Sequence, residues 1–342
     1  MGNFHRVWLH DDRYIRYGAC PRLGLVMSSS HSATETLSVV LVNWNSKDDL
    51  RRCLRSLEHQ IRPPEQTIVI DNASGDGSQR MVHEDFPHVI LDTFSENRGF
   101  AAACNRGIEL ATGSWVAMLN NDAVAHPEWC AALVEAAAKA PSNCGMLQSM
   151  MLYLERPDVV NSTGINLLRH GDGVDRAEGQ PRERCDPPTE VFCATAGAAA
   201  YRRVMLEQTK ISSGYFDADY FLYKEDFDLG WRARIAGWTA QYVPEAVVSH
   251  RWHGSTRHVD QTWLRRMQRT NYIETLLKNA SWRFVAMALP LRFFPLLRVY
   301  AEHPIAATRD FLRAIRSGLA KRPEITAMQK TTRASVERMW IR

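Results

Sequence analysis

Between Tyr215 and Gly230 the chain sets five carboxylates, Asp217, Asp219, Glu225, Asp226 and Asp228, among six aromatic residues. Aromatic density of this kind belongs in a core or a pocket wall, where an ionised acid is costly unless it has a partner or a task. About 100 residues earlier, the apolar run Trp115–Leu119 stops abruptly at Asn120-Asn121-Asp122. A carboxylate at such a corner suits a hard divalent cation, Mg2+ or Mn2+, which binds through one or two protein carboxylates together with substrate phosphates. Asp122 is therefore the expected metal ligand and Glu225-Asp226 the expected catalytic-base segment. Together they suggest an enzyme that handles a metal-chelated diphosphate.

Each of these residues also has a plainer explanation. Asn-Asn-Asp occurs in many turns. Glu225 or Asp226 can simply saturate amides at the start of a helix near Phe227. His250 closes the apolar run Ala246–Ser249 and is read both as a second metal ligand and as a satisfied structural histidine. Asp71 can accept a hydrogen bond from a pyrimidine ring N–H, or close an Asx-turn. Asp228 is expected to face along its helix and serve solubility or a cap.

The elements that must position these residues read as alternating strands and helices. Leu37–Asn43 is a β-branched apolar run of buried-strand type. Ser46 is placed to cap a helix with Asp49 at N3, and Leu50, Cys53, Leu54 and Leu57 follow at helical spacing. Strands are expected at Thr67–Ile70, His88–Thr93 and Trp115–Leu119, with helices at Phe100–Ala111 and Pro127–Ala138. The order predicts βαβ units and a mostly parallel sheet. Four strand ends then carry polar residues: Asn43-Trp44-Asn45, Asp71-Asn72, Asn97-Arg98 and Asn120-Asn121-Asp122. In an open α/β sheet ligands bind outside the carboxyl ends of the strands, so all four are expected on one rim. Beyond Pro141 the pattern breaks. Gly171–Glu190 reads as a mobile surface loop or lid, Val191–Tyr201 as a strand, Phe227–Ala236 as a helix and Ala246–His250 as a last short strand. Helices alone are expected from His258 onward.

Composition bounds the class. The 342 residues are 45% hydrophobic and 23% charged, as in ordinary soluble globular proteins. The net charge of +4 conceals an asymmetry: Trp282–Arg342 holds twelve Lys/Arg against four Asp/Glu, so the remainder is net acidic. The seven cysteines, an odd number, form no C-x-x-C pair, which fits a reducing compartment and argues against structural zinc. Met1–Gly24 lacks the apolar core of a secretory signal, and Met27 is an alternative start.

Five ordered segments carry a resemblance. Val39–Ser46, Val69–Ser78, Glu96–Ile108, Leu119–Asp122 and Tyr215–Arg232 are similar to glycosyltransferase family 2, in particular its bacterial rhamnosyltransferase-like branch, over roughly residues 37 to 256. The resemblance implies a GT-A fold: α/β, Rossmann-like, a mostly parallel sheet with helices on both faces, here with a C-terminal helical appendage. The organisation it implies is a disordered or mis-started leader over 1–36, a catalytic domain over 37–257 and a basic helical region over 258–342. By position, the family's metal-binding Asp-x-Asp falls on Asn120-Asn121-Asp122, its first acid replaced by Asn. Its base falls on Asp226 and its nucleotide-contacting acid on Asp71. Asn43, Asn45, Asn72, Asn97, Arg98 and Asn121 complete the expected nucleotide-binding rim. The implied activity is inverting transfer of a sugar from a nucleotide-diphosphate sugar, such as dTDP-rhamnose, to a glycan or lipid-linked glycan.

Other classes fit less well. A nicotinamide oxidoreductase would carry G-x-G-x-x-G where Asn43-Trp44-Asn45-Ser46 stands. A processive polysaccharide synthase would need spanning helices and a Gln-x-x-Arg-Trp motif, and the sequence has neither. A non-catalytic nucleotide-sugar or glycan-binding protein on the same fold is the alternative from a different class. The basic segment 282–342 carries no nucleic-acid motif. It reads either as an interfacial segment on an anionic membrane or as packed helices with arginines outward. A cytoplasmic location, peripheral on the inner face of the membrane, is expected.

Overall fold

The computed structural model describes residues 6–8, 14–16, 35–184, 187–251, 260–292 and 304–341. Most of the expected leader lies outside these residues. Its described parts, β1 (Arg6–Trp8) and β2 (Tyr14–Arg16), pair antiparallel.

The body begins with β3 (Leu37–Asn43), α1 (Lys47–Glu58), β4 (Gln66–Asp71), α2 (Ser78–Asp85), β5 (Ile90–Thr93), α3 (Phe100–Leu110) and β6 (Trp115–Leu119). β3 pairs in parallel with β4 and β6, and β4 with β5. Successive strand residues face opposite sides of a sheet. Val39 and Leu41 accordingly pack with Leu50, Cys53, Leu54 and Leu57 of α1, while Val40 packs with Ala101, Cys104 and Ile108 of α3. Helices thus cover both faces. The expected Ser46 cap is not formed: α1 lacks a side-chain cap bond there, and Asp76 Oδ2, from the following loop, accepts from Lys47 N at 2.8 Å.

The second half departs from a parallel pattern. It comprises β7 (Ala123–Ala125), α4 (Trp129–Lys139), β8 (Cys144–Tyr153), β9 (Arg156–Ser162), β10 (Ile165–Leu167), β11 (Gly173–Asp175), β12 (Thr189–Val191), β13 (Ala198–Arg202), α5 (Arg203–Thr209), α6 (Glu225–Ile235) and β14 (Thr239–His250). β13 runs antiparallel to both β6 and β8, whereas β14 is parallel to β8. The sheet order is β12-β14-β8-β13-β6-β3-β4-β5. The expectation of a mostly parallel sheet therefore holds from β3 to β6 and is corrected beyond it.

Three further expectations change. Val191–Tyr201 is two strands, β12 and β13, separated by Phe192–Gly197. The last strand is twelve residues long, with a register shift between Val243 and Val247 that accommodates Pro244. Gly171–Glu190 is not bare loop: β11 pairs with β10, and Asp172 holds Lys224 Nζ at 2.5 Å and also pairs with Arg292.

The chain then continues with α7 (Gln261–Asn279), α8 (Trp282–Leu291), α9 (Pro304–Ala327) and α10 (Arg333–Trp340). Leu276, Phe284, Ala314, Ile325 and Val336 from these helices join the same core as Val40 and Trp231. The boundary drawn at 257/258 falls outside the described residues, as does most of Leu291–Tyr300. Among the described residues, no helix is long and apolar enough to cross a membrane.

Candidate active site

At the carboxyl ends of β3, β4 and β6, a cavity of about 870 Å3 opens, a volume suited to a small-molecule ligand. Asn72, Asn97, Asn121, Asp122, Glu225, Asp226 and His250 line it. Asn43 and Asp71 are buried beside this wall rather than in it, and Asn45 and Arg98 are exposed and outside the lining. Their connections explain the arrangement. Asn121 Nδ2 donates to Asn43 Oδ1 at 2.8 Å, and Asn43 Nδ2 donates to Asp71 Oδ1 at 3.1 Å. Asp71 Oδ2 accepts from Ser74 N at 2.8 Å and Gln79 Nε2 at 2.9 Å. Asn45 Oδ1 accepts from Gly75 N at 2.8 Å, and Asn72 Oδ1 accepts from Arg98 N at 2.8 Å. Buried polar groups need such partners. Asp71 thus fixes the rim internally, with both its oxygens already accepting.

The metal corner has a specific chemistry. His250, the last residue of β14, has Nδ1 2.9 Å from Asn161 Oδ1. An amide oxygen only accepts, so Nδ1 carries the proton. Nε2 then presents a lone pair, toward Asn120 Nδ2 at 3.1 Å. Asp122 Oδ1 lies 3.1 Å from the same Nε2, is buried and, among the described residues, accepts no hydrogen bond. Two electron-pair donors facing each other across a buried gap are a fitting N,O pair for a divalent cation. A second proton on the imidazole would close the gap as an ion pair, which a metal titration separates from cation binding.

A second acidic cluster does not fit a cation. Carboxylate oxygens of Asp217, Asp219 and Glu274 lie within 4.8 Å of one another. Lys321 Nζ, however, sits 2.7 Å from Asp217 Oδ1, 2.7 Å from Asp219 Oδ2 and 3.1 Å from Glu274 Oε1. Lys278 Nζ also pairs with Asp217 and reaches Asp228 Oδ1 at 2.9 Å. The ammonium groups already occupy the centre. Burial pushes the Asp217 carboxyl up, but Lys278 and Lys321 outweigh it and hold it well below the usual range.

The two adjacent acids of α6 have different surroundings. Asp226 Oδ2 accepts from Thr195 Oγ1 at 3.0 Å and Ala196 N at 3.1 Å, and its Oδ1 accepts from Phe227 N at 2.7 Å. Three donors at the first turn of the helix fix the orientation of this carboxyl group. Glu225 is buried, and its Oε2 has no hydrogen-bond partner. Burial, and then the Asp226 charge, raise its carboxyl well above the ordinary range. Asp226 is thus the better equipped of the two to act as a base, while burial disfavours the charged form of Glu225. Asp228 corrects its expected exposure: it is fully buried, accepting from Arg232 Nε at 2.8 Å and Asn279 Nδ2 at 2.7 Å because α7 covers that face of α6.

The approach to Asp226 is strained. Phe221, Tyr223 and Lys224 have φ of 61°, 68° and 74°, a region non-glycine residues rarely adopt. One buried amide from α7 restrains them: Asn271 Nδ2 donates to the carbonyls of Tyr220, Leu222 and Tyr223 at 3.0, 3.1 and 2.9 Å. Phe221 O accepts from Phe100 N at 2.6 Å. Gly99, at φ 85°, permits this approach, since a Cβ there would lie 2.6 Å from that oxygen.

Sequence reasoning missed several lining residues. Thr195 was read as part of a strand. Asp175 lies in the expected loop; it is exposed and also lines the cavity. Its carboxyl is pushed up to about 6, by desolvation first and then by the Asp226 and Glu178 charges. Trp263, Arg265, Arg269 and Arg292 come from the helical region. The run of aromatics before Lys224 was the one local signal of an unusual backbone.

Comparisons with known proteins identify a family and a fold. The family model described as glycosyl transferase family 2 matches residues 38–209. An N-acetylglucosaminyl-diphospho-decaprenol L-rhamnosyltransferase of Mycobacterium tuberculosis is 29% identical over 271 residues, 73% of this chain and 87% of that protein. The Escherichia coli protein YibD, an uncharacterized glycosyltransferase, is 37% identical over 99 residues, 28% of each chain. Among solved structures, GalNAc-T7 with UDP, GalNAc and Mn2+ matches with a TM-score of 0.57 at 16% identity, over 72% of this chain and 48% of that one. S. aureus TarS 1-349 with UDP matches with a TM-score of 0.51 at 16% identity, over 86% of each chain.

Proposed function

This chain belongs to glycosyl transferase family 2 and has the GT-A fold, and from that premise we propose that it moves one hexosyl unit, with inversion, from a nucleotide-diphosphate sugar to a lipid-linked glycan. Rhamnose from dTDP-rhamnose is the proposed donor unit, supported by the M. tuberculosis relative, whose name specifies L-rhamnosyl transfer onto N-acetylglucosaminyl-diphospho-decaprenol. The observation that carries the assignment is that Asp122 and Asp226 line one cavity from opposite elements, the β6–β7 corner and the start of α6.

Asp122 and His250 would hold Mg2+ or Mn2+, and the bound ion would neutralise charge on the nucleoside diphosphate leaving group. GalNAc-T7 was solved with UDP and Mn2+, which supports this role for the corner. Asn72, Asn97 and Asn121 present polar side chains on the nucleotide side. Asp226 accepts the proton of an acceptor hydroxyl as that oxygen attacks the anomeric carbon from the face opposite the leaving group. Thr195 and the Ala196 amide hold the carboxylate in place for that task. Burial and the Asp226 charge disfavour a second charge on Glu225 beside it. The buried free cysteines Cys53, Cys104, Cys130, Cys144 and Cys193 support a cytoplasmic setting, with the acceptor presented at the inner face of the membrane.

Donor turnover tests this. The purified chain, dTDP-rhamnose, Mn2+ and a polyprenyl-diphospho-N-acetylglucosamine acceptor should yield a rhamnosylated lipid of inverted anomeric configuration. Tight nucleotide binding with no turnover on any sugar donor would instead indicate a non-catalytic binding protein.

A further inference from the structure

The helices that carry the basic surplus turn apolar side chains toward solvent. On α9, Ala307, Ala314, Gly318, Lys321 and Ile325 face the core. Helical geometry then places Ile305, Leu312 and Leu319, at seven-residue intervals, on the opposite face, interleaved with Arg309 and Arg316. Ile305 is 87% exposed. On α8, Phe284, Val285 and Ala288 point inward, whereas Met287 and Leu291, one turn apart on the same side, are 49% and 60% exposed; Trp282 lies on the opposite side of the helix. Arg322 stacks on Trp282 at 4.1 Å, so the end of α9 adjoins the start of α8. The far end of α8 reaches the cavity, where Arg292 lines the wall and pairs with Asp172.

We propose that the outer face of α8 and α9 docks on an anionic lipid surface. Met287, Leu291, Ile305, Leu312 and Leu319 enter the headgroup region while the arginines of α9 meet lipid phosphates. Charge complementarity selects this occupant. A second copy would bring Arg309, Arg313 and Arg316 against like charges, and the acids of α9 are engaged elsewhere: Asp310 holds Arg266 Nε at 2.6 Å, and Glu324 accepts from Ser212 Oγ at 2.8 Å. Spanning the bilayer is not required, since neither helix is long and apolar enough. Because α8 ends at the cavity, docking brings the cavity mouth near the surface from which a lipid-linked acceptor is drawn; only this last point rests on the transferase reading.

Vesicle flotation of the full chain tests the surface. Binding is expected to phosphatidylglycerol-containing vesicles, weakly or not at all to pure phosphatidylcholine, and to fall with added salt. The double variants Met287→Glu/Leu291→Glu and Arg309→Glu/Arg316→Glu should each weaken it by at least about tenfold, while hydrolysis of a soluble nucleotide-sugar donor stays at the wild-type rate. Failure of the wild type to float with anionic vesicles, or unchanged flotation of both variants, overturns the proposal. So does a concentration-dependent dimer in solution that both variants abolish, which would assign the face to a second copy. If no form hydrolyses donor but flotation behaves as described, the transferase reading fails and the docking surface stands.

Discussion

Two groups of acids drawn from one short stretch, Asp217 to Asp228, meet opposite fates. Asp217, Asp219 and Asp228 are paired with cations: Lys278, Lys321 and Arg232 reach them from α7, α9 and α6 and form an ionic knot in which Asp217 and Asp228 are buried and Asp219 lies at the exposed edge. Glu225 and Asp226 face the cavity, and neither is held in an ion pair. The contrast separates structural from chemical carboxylates by their partners. A buried acid with an ammonium beside it is locked as an anion and useless as a base. Asp226, held only by neutral donors, has no counter-ion to displace before it takes a proton.

The strongest way to break this contrast is Asp226→Asn. Transfer should fall by about 10²–10⁴-fold, with the melting temperature unchanged; a variant retaining more than a tenth of wild-type turnover would remove Asp226 from the base role. The matching change in the knot is Lys278→Met. It leaves Asp217 and Asp228 short of a partner and should cost on the order of 3–5 kcal/mol in urea unfolding. An equal loss from Asp226→Asn would erase the distinction between the two groups. Acid sharpens the same point. Asp217 is depressed when folded, so its contribution is complete above its unfolded value near 3.9 and is lost as pH falls through the folded one. Unfolding midpoints measured from pH 6 downward should drop less steeply in Asp217→Asn than in the wild type.

Smaller effects concern the metal corner and Glu225. Asn161→Ala frees the His250 ring and should weaken Mn2+ binding by about 10–100-fold, measured by calorimetry, leaving nucleotide affinity without metal unaltered. Unchanged Mn2+ affinity would favour the ion-pair form of Asp122 and His250. Glu225→Gln should be the mildest. Glu225 is raised when folded, so in the wild type the unfolded chain ionises first as pH rises, and stability is lost between the unfolded and folded values. The glutamine removes that loss. Its melting temperature should exceed wild type at pH 7.5 by roughly 2 °C or more and equal it near pH 4, with most turnover preserved.

Much of the first half of the fold was legible because its strands are short, apolar and bounded by turn residues. Val39–Leu41 and Ile68–Ile70 read directly as buried strands. The second half was harder. β8 is buried along its whole length, so it shows no alternation to distinguish strand from helix. Pro244 hid the length of β14 by interrupting a strand that continues across a bulge. Asp122, Asp226 and His250 were recoverable as strand-end or helix-start residues. Asn161, Thr195 and Asn271, which orient them, were not, because each is an ordinary polar residue whose value lies in what it touches.

The sequence by itself determined which side chains exist for chemistry and, through apolar periodicity and polar strand ends, which rim of the sheet they occupy. It also determined that Trp282–Arg342 would be basic. Only the tertiary structure decided which acids are silenced, since Lys278 and Lys321 arrive from positions about 50 to 100 residues away. Only it decided that the proton of His250 sits on Nδ1, leaving a lone pair opposite Asp122. Partner identity over long separations sets the electrostatics of a buried group, and no local pattern encodes it.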